Sequence, residues 1–288
     1  MRTFVTTFCL ILLFACKQGP TAQAQEITTD TLPIPKILPE GQTIESRFLP
    51  PSHFQRTAIS EGSFANFLRQ LPLKEHGAAV HYFNGKTKNR KDVHAAVIDI
   101  EIGKRDLQQC ADAVMRLKAE YLFQQEAYDQ ISFHFTNGFR ADYAKWRAGH
   151  RIKVEGNEVS WTNPGRANGS YEQFRKYMDM VFAYAGTLSL ERELDPVPLD
   201  SIEIGDVFIK GGSPGHAIIV VDMAENPENG ERLFLLAQSY IPAQDIHILN
   251  NPRNKNLSPW YTNRFNGRLV TPEWMFEKEQ LRRFAARQ

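Results

Sequence analysis

The chain has 288 residues, 42 % of them hydrophobic, and a formal net charge of +1. That length and apolar content allow one large domain or two small ones with a sizeable core. The near-neutral charge is dispersed with no Lys/Arg block, which excludes a polyanion partner, nucleic acid in particular.

Taken from the N-terminus, Arg2 and the short apolar run at residues 4–15 form a targeting segment, too short to span a bilayer stably. Residues 1–16 read as a lipoprotein signal peptide whose end, Leu13-Phe14-Ala15-Cys16, matches a lipobox in which Cys16 is acylated, becomes the mature N-terminus and is so tied to a membrane. Ala22-Gln23-Ala24 matches an ordinary signal-peptidase site, the alternative exit, which would leave a soluble periplasmic protein. The lipobox is preferred because Cys16 abuts the apolar run. Either way Cys9 and Cys16 do not become a disulfide, and Cys110 is the one thiol left in the folded part. A lone thiol in an oxidising compartment is either buried and inert or kept for chemistry.

Residues 17–46 are rich in Thr, Pro and Gln without apolar periodicity and read as a tether. The remainder, residues 47–288, reads as a single mixed α/β domain, since no Pro/Gly-rich gap divides it. Ser63 caps a predicted helix at residues 64–71. Residues 79–83 and 95–102 are predicted to pair as strands. Asp106 is predicted to cap a helix over residues 107–125, with Leu107, Cys110, Val114, Leu117 and Tyr121 on its buried face. Asp112, Arg116 and Glu120, spaced four apart, suggest a solvated salt-bridge row or a cross-link to a neighbour.

Residues 131–135 are strand-like. Residues 139–151 then interleave Phe139, Tyr143 and Trp146 with Arg140, Lys145, Arg147 and Arg151. Such mixtures can bind sugars or phosphates, but the preferred reading is a packed helix whose arginine stems cover apolar surface. A hairpin is predicted at residues 152–161 and a helix at 171–185, capped by Ser170 and ended by Gly186. Residues 202–249 break into short Val/Ile/Phe-rich runs bounded by Gly, Pro and Asn, the pattern of an antiparallel meander. A last helix is predicted at residues 274–284.

The chemistry-bearing residues gather in the meander. His216 opens its second strand and Gln238 closes its third. If Glu225 pairs with Glu231, Ile218 lies opposite Gln238 and His216 opposite Tyr240, so His216 and Gln238 become diagonal neighbours on one face. A register change of one residue would put them on opposite faces. The sequence holds no HExxH, CxxC, P-loop or Rossmann glycine pattern, so no metal or cofactor is predicted. Asp206 is expected to set the turn before its strand, and Asp222 to mark a strand end.

Gly205-Asp206-Val207-Phe208-Ile209 followed by Gly215-His216-Ala217-Ile218-Ile219-Val220 resembles the central strands of the NlpC/P60 and CHAP branches of the papain-like superfamily. The wider chain resembles an uncharacterised family of bacterial exported lipoproteins, through stretches such as QQCADAVMRLKAEYL, PGHAIIVVDMA and LLAQSYIPAQ. The first resemblance implies an α+β, papain-like fold, an antiparallel meander packed on helices with an N-terminal and a middle extension. It also implies a cysteine amidohydrolase of cell-wall peptide or amide bonds. Cys110 would be the nucleophile, His216 its base and Gln238 the group that orients the ring, with Tyr240 and Trp260 lining the cleft. Gln109-Cys110-Ala111 stands where those enzymes carry Asp-Cys-Ser. Their cysteine helix also lies just ahead of the Gly-Asp strand, where residues 171–185 of this chain hold no cysteine. The alternative is an envelope lipoprotein without activity that binds wall glycan (peptidoglycan) or a protein through the same cleft.

Overall fold

The computed structural model describes residues 34–285. The leader, the lipobox cysteine Cys16 and the Ala24 site lie outside the described residues. The first elements correct the extent of the tether. β1 (Lys36–Ile37) pairs with β2 (Phe48–Leu49) around α1 (Ile44–Arg47). Ile44 and Phe48 are fully buried, and Arg47 Nε donates to the Gly41 carbonyl at 2.6 Å. A segment without apolar periodicity is thus held by two apolar anchors and one buried guanidinium. β3 (Gln55–Arg56) follows, and then α2 (Phe64–Arg69), where Ser63 Oγ accepts from Asn66 N at 3.1 Å. Such a cap contributes about 1 kcal/mol.

β4 (His94–Val97) is a strand, but its predicted partner is not. Residues 79–83 make only isolated bridges, His81 to Thr87 and Tyr82 to Gln244. α3 (Cys110–Gln124) starts three residues later than periodicity suggested. Asp112 Oδ2 accepts the Gln109 amide at 3.0 Å and closes the helix start, while Asp106 Oδ1 accepts the Ala243 amide at 2.7 Å. Cys110 therefore occupies the first helical position.

The middle of the chain builds β5 (Ser132–His134) on β6 (Arg140–Asp142), then α4 (Tyr143–Arg147) and the hairpin of β7 (Ile152–Glu155) with β8 (Glu158–Trp161). Gly156, at φ 61°, takes the left-handed conformation its turn requires. α5 (Tyr171–Tyr184) and α6 (Thr187–Glu193) complete the helical layer. The aromatic–basic stretch is packed structure. Arg147 lies 4.3 Å over the Tyr128 ring and Arg151 4.5 Å over Trp146. The Asp112–Arg116–Glu120 row is buried as well. Arg116 pairs with Glu120 at 2.5 Å, and its other nitrogens reach Gln108 and the Tyr171 hydroxyl, so the row ties α3 to α5.

The remaining strands are β9 (Leu194–Pro196), β10 (Val207–Lys210), β11 (His216–Glu225), β12 (Arg232–Gln238), β13 (His247–Leu249), β14 (Tyr261–Thr262), β15 (Leu269–Val270), β16 (Met275–Phe276) and β17 (Leu281–Phe284). Among the described residues, nine strands form one open antiparallel sheet in the order β4-β13-β12-β11-β10-β17-β9, with β14 added to β12 and β3 to β11. The fold is therefore α+β with antiparallel sheets and is not a closed barrel. The predicted last helix is instead β16 and β17. Phe276 and Leu281 are fully buried against Phe208 and its neighbours, and pairing of β17 with β10 and β9 satisfies its backbone better than a solitary terminal helix would.

The sheet has two apolar faces. Ala217, Ile219 and Val221 join the core that includes Val114, Met115 and Leu117 of α3. Ile218 and Val220 join Phe208, Phe234, Leu236 and Phe276 on the other side. Burial on both faces explains why β11 reads as a nearly continuous hydrophobic run.

Candidate functional site

Alternation along β11 and β12 decides which side chains meet. At the loop end Glu225 lies opposite Arg232, one residue away from the pairing with Glu231 that the sequence suggested. Unaltered, that register would give His216 and Gln238 opposite parity. A bulge between Val220 and Asp222 takes up one residue, so that Val220 faces Leu236 and Ile219 faces Ala237. The pairing at the His216 end is thereby returned to the register that makes His216 and Gln238 diagonal neighbours.

A buried charge cluster adjoins the bulge. Asp222, expected at a strand end, lies within β11 and is fully buried. Its carboxylate accepts from Arg56 Nε at 2.8 Å and from Arg69 Nε at 2.6 Å, and from its own neighbour Met223 N at 2.8 Å. Burial pushes the Asp222 carboxyl up, and the two guanidiniums offset this only in part. Asp206 does set its turn, accepting from Glu203 N at 2.8 Å, and it is also gripped by Arg283 at 2.6 and 2.8 Å.

His216 Nε2 lies 2.9 Å from Gln238 Oε1. The amide nitrogen of Gln238 meets Glu273 Oε2 at 2.8 Å and His247 Nε2 at 3.3 Å. His247 Nδ1 lies 2.8 Å from the Asp245 carbonyl, which can only accept, so that nitrogen carries the proton. His247 Nε2 is then an acceptor and takes one amide hydrogen of Gln238, and Glu273 takes the other. Gln238 Oε1 is left as the acceptor for an Nε2–H of His216. The ring that results is a neutral Nε2–H tautomer whose Nδ1 holds a lone pair. Burial lowers the His216 pKa to about 4 and that of His247 to about 3, so both are neutral at pH 7. Glu273 also accepts from Lys88 Nζ at 2.7 Å, and Lys88 reaches Gln244 at 2.8 Å.

Cys110 is the free cysteine of the described residues and is 6 % exposed. Its sulfur faces the backbone N–H groups of Ala111 and Ala217, the second of which follows His216. Burial first, and then the Asp112 charge, push the thiol up to about 11, more than the backbone donors at the helix start recover. Among the described residues no hydrogen bond joins this sulfur to the His216 ring. At neutral pH the two groups are a thiol and a neutral imidazole, with no ion pair between them.

Aromatic rings enclose His216. Tyr240 lies 4.8 Å from it, Trp274 5.4 Å and Phe276 5.9 Å, centroid to centroid. Tyr240 and Trp274 also line a cavity of about 770 Å³ with Lys210, Arg268 and Glu273, so these two rings separate the imidazole from open space. The site thus brings together His216, Gln238 and Tyr240 and places Cys110 at its margin. Trp260, expected to line the cleft, is fully buried in the core on the α3 side, and Asn251 Nδ2 grips its carbonyl at 2.8 Å. A large apolar ring of that size is better used under the sheet than at a wet mouth. Periodicity missed Lys88, His247, Glu273 and Trp274. His247 had a local signal, since it opens β13 as His216 opens β11. Trp274 was hidden in a segment that read as helix, and Glu273 just ahead of it.

No curated protein and no solved structure matches the chain. Residues 44–283 match the family described as Domain of unknown function (4846), DUF4846, and the chain belongs to that family.

Proposed function

We propose that the chain is a cysteine amidohydrolase of papain-like kind, exported and held at the cell envelope through Cys16, cutting peptide or amide bonds of the cell wall. The observation that carries this reading is the His216–Gln238 hydrogen bond of 2.9 Å, which leaves His216 Nδ1 as the basic nitrogen, with a cysteine at a helix start one residue from the same strand end. The Cys110 thiol proton would pass to His216 as the sulfur bonds to the acyl carbon. The amine would leave with that proton, and water would then cleave the thioester. Tyr240 and Trp274 would have to part to admit substrate from the cavity. The test is the pH dependence of alkylation of Cys110, with release of amine from cell-wall peptide as the second readout. Wall-peptide turnover lost in both Cys110→Ala and His216→Ala supports the reading. A thiol that His216→Ala leaves unchanged, without turnover, ends it.

A second reading has its own support in the raised thiol pKa and the lack of a sulfur–imidazole hydrogen bond. In it the protein binds wall glycan or a protein partner through the same cleft, with Cys110 as core. Retention on purified sacculi by wild type, Cys110→Ala and His216→Ala alike supports it, and no retention by any of them counts against it.

A further inference from the structure

The cavity beside the aromatic rings carries a charge imbalance. Its lining carboxylates are both engaged. Glu277 accepts from Arg268 at 2.5 Å, and Glu273 from Lys88 at 2.7 Å. Arg90, also on the wall, is paired with Asp92 at 2.5 Å. Lys210 alone among these charged groups has no ion pair or hydrogen bond among the described residues. It ends β10 directly opposite His216. Cross-strand partners in an antiparallel pair leave the sheet on the same face, roughly 5 Å apart at Cβ. One exposed cation, without an ion pair among the described residues, thus leaves the sheet on the imidazole's side at the rim of a cavity with two aromatic walls.

We propose that this cavity is a carboxylate-binding subsite with Lys210 as its anion-binding group. Resting on the hydrolase reading, the substrate is a peptide whose free carboxylate lies within a few bonds of the amide that is cut. A single monoanion matches the single unbalanced charge. The Tyr240 and Trp274 faces accommodate the adjoining peptide plane or aliphatic stem. Arg268 and Arg90, already neutralised, add hydrogen-bond capacity without adding net charge.

The experiment titrates the intact protein with N-acetyl-alanyl-glutamine, which carries one free carboxylate, and with its uncharged counterpart, N-acetyl-alanyl-glutamine amide, following tryptophan fluorescence and calorimetry. The acid is expected to bind saturably and at least about tenfold tighter than the amide, the size of a charge-assisted hydrogen bond. Lys210→Gln removes that preference, and Lys210→Arg keeps it within roughly threefold. Acid and amide that bind alike, acid binding that Lys210→Gln leaves unchanged, or no binding of the acid at all, overturn the proposal. Cys110→Ser separates the two readings. Acid binding intact in wild type and Cys110→Ser, with no turnover in wild type, leaves the subsite and sinks the hydrolase. Turnover of neutral amides that is indifferent to Lys210 does the reverse.

Discussion

His216 and Gln238 are hydrogen bonded at 2.9 Å because one extra residue is taken up in β11 between them and the hairpin loop. Without the bulge at Val221, the same loop would turn the imidazole toward α3 and the amide away from it. Asp222, buried between Arg56 and Arg69, follows the bulge directly. The charge cluster within β11 thus sits beside the bulge that returns the histidine at the strand's start to the face of Gln238.

Asp222→Ala is expected to destabilise the protein by about 3–5 kcal/mol, because two guanidiniums then face the core without a counter-charge. Urea unfolding measures it. Replacing all three groups by leucine should recover most of the loss, since the desolvation of the ions goes with them. A loss below about 1 kcal/mol in Asp222→Ala would contradict this account of the cluster.

The tautomers follow from the hydrogen-bond polarity. Nitrogen-15 spectra at pH 7 should show His216 protonated on Nε2 and His247 protonated on Nδ1. Gln238→Leu should erase the preference at His216 and, by removing the bond that favours its charged form, lower its pKa further. A His216 protonated on Nδ1 in wild type would contradict the reading of the amide.

Acid should weaken the fold through these two rings. Both have folded-state pKa values, about 4 and about 3, below the unfolded value near 6.5. Between those limits the unfolded chain binds more protons, so stability falls as pH drops from about 6.5. The raised carboxyls of Asp112, Asp206 and Asp222 act in the opposite sense, so the comparison is made against variants. Relative to His216→Asn, wild type should lose about 3 kcal/mol between pH 6.5 and 4. Trp274→Ala, which opens the site to water, should move the His216 midpoint up toward 6.5, as read by NMR titration. Parallel stability curves for wild type and His216→Asn would remove the argument.

The thiol should alkylate slowly at pH 8 and reach half its limiting rate near pH 11. Asp112→Asn keeps an oxygen that accepts from Gln109 N but removes the second-largest cause of the shift, so the midpoint should move down. Iodoacetamide kinetics across pH decide this, and an unchanged midpoint would leave burial as the sole cause.

Local sequence carried a good deal. The cap at Ser63, the helix over α5 and the meander strands follow from turn residues, periodicity and alternation, which act over a few positions, whereas the shared face of His216 and Gln238 needed a bulge that no local signal marked. The late start of α3 was less legible, because Asp106 and Gln109 are both polar residues suited to a helix start, and Asp106 is engaged by Ala243, far along the chain, as well as by the Gln109 side chain. Residues 274–284 have helical spacing, yet pairing with β10 and β9 makes them strand, a choice made by a partner and not by propensity.

By itself the sequence determined an antiparallel α+β domain with His216 and Gln238 at strand ends and Cys110 near the start of a helix. The tertiary structure alone decided that Glu273, itself held by Lys88, accepts from the Gln238 amide, that Trp260 lies in the core while Trp274 covers the imidazole, and that the Cys110 sulfur rests against the Ala217 backbone. The reason is range. Propensity and alternation are fixed by neighbours in the chain, whereas side-chain hydrogen bonds and the burial that shifts a pKa join residues distant in the chain, Gln238 to Glu273 and Glu273 to Lys88, which no local pattern encodes.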